Sequence, residues 1–83
     1  MNRLDKIREA INQELKPEFI NLEDESHLHA GHSSANSRGH FSLEIKSPQL
    51  RDLSLIAAHK KIYEALGELM QTDIHALSIK IIK

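Results

Sequence analysis

The chain has 83 residues, a formal net charge of −1, no cysteine, and only two phenylalanines and one tyrosine as aromatic residues. A chain this short forms one domain, here residues 1–83, and buries only about 60% of its unfolded surface, with no disulfide to supplement the core. The charge balance argues against the basic face of a nucleic-acid module, and no stretch approaches the roughly 20 apolar residues of a membrane span.

Leu4, Ile7, Ile11 and Leu15 follow the spacing of one helical face, with charged residues between them. Asn2 is a fitting N-cap, and Pro17 ends the helix because the residue before a proline is pushed out of helical geometry. Residues 18–24 read as a strand, with Ile20 and Leu22 on one face and Phe19 on the other. Residues 26–39 hold Ser, Asn, Gly and His with no apolar period, which predicts a loop of unusual length. Residues 40–46 alternate cleanly, with Phe41, Leu43 and Ile45 inward.

Ser47-Pro48 resembles a helix start, with a short turn over residues 48–51. Asp52 is expected to cap a longer helix running to Met70, with Leu55, Ile56, Ile62, Tyr63, Leu66 and Leu69 on its apolar stripe and His59 among them. Gly67 costs roughly 1 kcal/mol inside such a helix, so its last turn is expected to fray. Residues 74–82 form the last strand, where alternation places His75 on the face of Leu77, Ile79 and Ile81. The pattern predicts an α+β fold with the helices covering one face of a three-stranded sheet.

Chemistry concentrates in the six histidines. His27, His29, His32 and His40 fall in one polar stretch, and His75 interrupts the apolar last strand. Neutral imidazole is the commonest protein metal ligand. The spacing matches none of the zinc signatures that pair cysteines or place histidines on a helix. One reading of the cluster is therefore a polar loop or a nonspecific nickel or zinc scavenger, and the other is a metal site. His75 is either a buried histidine bonded to a backbone carbonyl or a ligand at the mouth of its strand. His59 reads as structural, and the acidic run Glu23-Asp24-Glu25 as a solvated strand end. Nothing points to an enzyme: there is no cysteine nucleophile, no G-x-S-x-G, and none of the glycine patterns that cradle phosphates.

Taken in order, Glu25-Ser26 with His29, then His40-Phe41, Ser47, His59-Lys60-Lys61-Ile62-Tyr63 with Leu66, and Ile74-His75-Ala76-Leu77 resemble the BolA family over nearly the whole chain. The resemblance implies a domain similar to the class II KH fold, in the order helix-strand-strand-helix-helix-strand. It implies a non-enzymatic adaptor that binds a monothiol glutaredoxin and shares a bridging 2Fe-2S cluster, in iron–sulfur trafficking or iron regulation. In such pairs the glutaredoxin supplies a cysteine and the thiolate of bound glutathione. The BolA-like chain supplies a C-terminal histidine and a residue from the loop between the first two strands. Carried over, these are His75 and His29, with His27 and His32 close enough to substitute.

Replacing thiolates by two imidazoles on one iron raises a cluster's potential, as in Rieske centres. A chain without cysteine can hold half a cluster if its partner brings thiolates. The same resemblance carries an alternative, a DNA-binding transcriptional regulator using the KH-like fold. KH domains clamp the backbone with a G-x-x-G loop, which is absent here. A third reading is an independent zinc or nickel site in the histidine loop. The charged N-terminus and absence of cysteine lead us to expect a soluble cytoplasmic protein. The family's Phe-x-Gly after the second strand is replaced by residues 48–52, the arginines beside the helix histidine are Ala58 and Lys60, and the chain stops at Lys83 without an aromatic tail.

Overall fold

The computed structural model describes residues 2–25 and 39–83. The elements run α1 (Arg3–Leu15), β1 (Phe19–Asp24), β2 (Gly39–Lys46), α2 (Leu55–Leu66), α3 (Leu69–Thr72) and β3 (Ile74–Ile81). Asn2 caps α1 as the sequence predicts, its side-chain oxygen accepting the Asp5 N–H at 2.8 Å. The helix stops at Lys16, which turns left-handed (φ 45°, ψ 59°) and returns its N–H to the Asn12 carbonyl. Pro17 allows no continuation.

The sheet order is β1-β2-β3, with β1 antiparallel and β3 parallel to the central strand. A parallel pair cannot be joined by a tight turn. The crossover from β2 to β3 is made by residues 47–73, which carry α2 and α3. Phe41, Leu43 and Ile45 of β2 are buried with Ile7, Ile11 and Leu15 of α1, and with Ala58, Ile62 and Leu66 of α2. Removing these apolar faces from water is the main favourable term for so small a domain. Among the described residues no helix is long and apolar enough to cross a membrane.

The crossover departs from the expected single long helix. Residues 48–53 make two successive tight turns, closed by Leu50 N–H to the Ser47 carbonyl and Leu53 N–H to the Leu50 carbonyl. Leu50 is fully buried and pins them to the core. The helix then starts at Leu55, capped by Ser54 rather than Asp52. Its buried stripe is Ala58, Ile62 and Leu66, each four residues from the next. Leu55 and Ile56 are instead 65% and 83% exposed. At Gly67 the backbone leaves helical geometry (φ 54°, ψ −126°), so α2 ends and α3 is a separate turn rather than a frayed end. A positive φ is natural for glycine.

Two buried polar side chains tie the elements together. The Ser47 hydroxyl, 2% exposed, donates to the Leu15 carbonyl at 2.7 Å and accepts the Gln49 N–H at 3.2 Å. It thereby joins the ends of α1 and β2 to the start of the crossover. Asp73, 8% exposed, sits just before β3. It accepts from Thr72 Oγ1 at 2.6 Å, Arg3 Nε at 3.3 Å and Lys6 Nζ at 3.5 Å. The Thr72 hydroxyl and the α1 cations Arg3 and Lys6 hold its carboxyl below the ordinary 3.8, against the opposing effect of burial.

Ser47→Ala leaves the Leu15 carbonyl without its donor and is expected to lower unfolding free energy by about 1–3 kcal/mol in urea titrations. Asp73 gives a pH signature. A carboxylate whose folded pKa is depressed stabilises the fold above its unfolded pKa, and that contribution is lost as pH falls through the folded value. Asp73→Asn should therefore be less stable than the parent at neutral pH. The gap should close as the pH is taken below 3.8, which urea titrations at neutral and acid pH will read out.

Candidate metal centre

β2 and β3 run parallel, so their first residues lie at the same end of the sheet. The ladder is irregular there. Gly39 pairs with Ile74, but His40 pairs with Ala76, so His75 is an extra residue on its strand. A bulge of this kind re-aims a side chain that strict alternation would send elsewhere. Ile74 before it is buried and Leu77 after it packs on the core, while His75 is exposed. The expected placement of His75 on the face of Leu77, Ile79 and Ile81 is therefore corrected.

The residue that His75 meets is His40. Their ring centroids are 5.0 Å apart with the planes tilted by 48°. His40 follows buried Gly39 and precedes buried Phe41, and is itself half-buried. Its backbone is fixed by the sheet: Glu25 N–H donates to the His40 carbonyl at 2.7 Å, and Gly39 N–H donates to the Asp73 carbonyl at 2.9 Å. Asp73 thus holds the start of β2 through its main chain and α1 through its side chain. The two imidazoles stand on backbone that is hydrogen-bonded on several sides, as a precise site requires.

His27, His29 and His32, the expected loop ligands, lie outside the described residues. His59 is half-buried on α2, edge-on to Tyr63 with centroids 6.5 Å apart. Its Nε2 is buried and has no hydrogen-bond partner among the described residues. The described residues hold no group of three or more His, Asp or Glu arranged for a metal ion. What they present is a two-imidazole unit, a borderline donor set suited to Zn, Cu, Fe or Ni. Such a unit fits half of a metal centre whose other ligands come from elsewhere.

His40 is the residue beside His75 that sequence reasoning misses, because it stands at the end of the polar stretch that carries the loop histidines. Two signals could have found it. Inward Phe41, Leu43 and Ile45 send His40 to the opposite face. Ile74 and Leu77 are both strongly apolar but three apart, so they can pack on one side of the sheet only with a bulge between them.

A family model described as "BolA-like protein" matches residues 11–83. "Protein BOLA1, chloroplastic" of Arabidopsis thaliana is 37% identical over 82 residues, covering 94% of this chain and 51% of that protein. The chain thus spans about half the length of that relative. "DNA-binding transcriptional regulator BolA" of Haemophilus influenzae is 37% identical over 73 residues, 88% of this chain and 69% of that one. The solved structure of the BolA domain of SufE1 from Arabidopsis thaliana matches with a TM-score of 0.83 at 37% identity, covering 98% of this chain and 91% of that one. None of these three is named as an enzyme. With a family model matched over residues 11–83 and a solved BolA domain of the same fold, the chain belongs to the BolA family.

Proposed function

We propose that this protein is a non-enzymatic adaptor that binds a monothiol glutaredoxin and shares a 2Fe-2S cluster with it. The observation that carries the reading is His75, exposed beside His40 at the open end of the sheet in a chain without cysteine. A cysteine-free chain can contribute to an iron–sulfur centre only through imidazole or oxygen donors, so its partner must bring the thiolates. When bound, the cluster would supply one-electron chemistry and transferable iron and sulfur. The chain's own part is to present its imidazoles from fixed backbone: the bulge turns His75 outward, and the Asp73 anchor keeps the start of β3 against α1. His29, with His27 and His32 as alternates, is the loop donor that the family resemblance assigns.

Anaerobic reconstitution with a monothiol glutaredoxin and glutathione, followed by visible circular dichroism, tests this. Titrating in the protein should give a new spectrum saturating at one to one. His75→Ala should abolish it with the far-ultraviolet spectrum unchanged; survival of the spectrum would remove His75 from the ligand set. His29→Ala should weaken or alter the spectrum, and an effect seen only with His27 or His32 changes would reassign the loop donor.

A second reading follows from the name of the Haemophilus influenzae relative, a DNA-binding transcriptional regulator. Lys60 is exposed and Lys61 half-buried on α2, and they offer the nearest approach to a basic patch on that helix. The balanced charge and the missing G-x-x-G weigh against it. A gel shift in the low micromolar range that weakens steeply with added salt would favour it over the adaptor.

A further inference from the structure

We infer that His40 and His75 form a two-histidine chelate that binds one divalent transition-metal ion on this chain alone, without the histidine loop and without a partner protein. The inference starts from the same His40–His75 pair as the adaptor reading but assigns it an ion held without any partner, so the two are tested separately.

The geometry supports one metal ion between the rings. Metal–nitrogen bonds of about 2.0–2.1 Å place two imidazole centroids roughly 4.5 to 5.2 Å apart for ligand angles between a right angle and the tetrahedral one. The observed separation is 5.0 Å. The rings do not pack as aromatic neighbours usually do, since a tilt of 48° is neither offset-stacked nor edge-to-face. No change of fold is needed to bring them together. His40 is held between β1 and β3, and His75 is the bulge residue opposite it.

The chemistry selects the ion. Two neutral nitrogen donors with no thiolate suit Zn²⁺, Ni²⁺ and Cu²⁺ and disfavour Mg²⁺ and Ca²⁺, which take oxygen. Two protein ligands leave further coordination positions to water. That predicts modest affinity and an exchangeable ion, unlike a closed structural zinc site with four protein ligands. His40 thereby becomes this chain's second imidazole at the strand mouth, in addition to any loop donor.

The test uses the whole protein, free of any histidine tag and with no glutaredoxin present. Zn²⁺ and Ni²⁺ are titrated by calorimetry, and the nitrogen ligands of Cu²⁺ are counted by electron paramagnetic resonance. The parent and a variant carrying His27→Ala, His29→Ala and His32→Ala together should each bind one ion, with two nitrogen donors on copper. His40→Asn and His75→Asn should each lower affinity at least tenfold, with melting curves of the metal-free proteins close to the parent's. His40→Gln gives a second replacement should the asparagine variant unfold. Binding lost in the loop variant but retained in His40→Asn or His40→Gln would overturn the proposal, as would no binding by the parent. Because the partner is absent throughout, failure of the adaptor reading would leave this result untouched, and failure here would leave the shared cluster to be judged on its own spectrum.

Discussion

The central strand β2 is hydrogen-bonded along both edges, and that constraint organises everything around it. Its side chains have only two faces to occupy. Phe41, Leu43 and Ile45 take the face under the helices, so His40, Ser42, Glu44 and Lys46 must take the other. That open face is knitted by polar contacts across strands, Asn21 donating to Glu44 at 3.0 Å and Lys80 approaching it at 3.8 Å. Because β3 is parallel to β2, the second residue of each strand arrives at the same end of the sheet, and those residues are His40 and His75. The histidine pair is a product of topology before it is a product of local sequence.

Most of this architecture was legible in the sequence because it rests on periodicity. The spacing of Ile7, Ile11 and Leu15 marks α1, Pro17 marks its end, and the alternation from Phe41 to Ile45 marks β2. The crossover was less legible. Asp52 and Ser54 are both acceptable N-caps, and the choice falls to Ser54 because fully buried Leu50 holds residues 48–53 in turns. Leu55 and Ile56 look like core by residue type, yet the helix they open turns Ala58, Ile62 and Leu66 inward. The site was half legible. His75 stood out as a polar residue in an apolar strand, but its orientation depends on a bulge that no propensity scale encodes, and His40 could be paired with it only once the strand order was known.

The donor set explains a division of labour. Imidazoles on a rigid sheet give fixed direction and no charge, whereas thiolates bring charge and strong iron affinity. A chain with the first and none of the second can contribute to an iron–sulfur centre only beside a thiolate-bearing partner, whereas a lone divalent ion needs no thiolate. In the same family the domain also occurs as part of a protein named SufE1.

The Asp73 anchor also orders events in time. The ion pair between Arg3 and Asp73 closes over 70 positions of sequence, and the entropy of bringing such distant residues together must be met before the contact contributes anything. During synthesis from the ribosome, α1 emerges early but meets its ionic partner only after the crossover has been made. The histidine pair, one member of which lies two residues beyond Asp73, depends on the same long-range closure, because His75 stands beside His40 only where β3 is docked along β2.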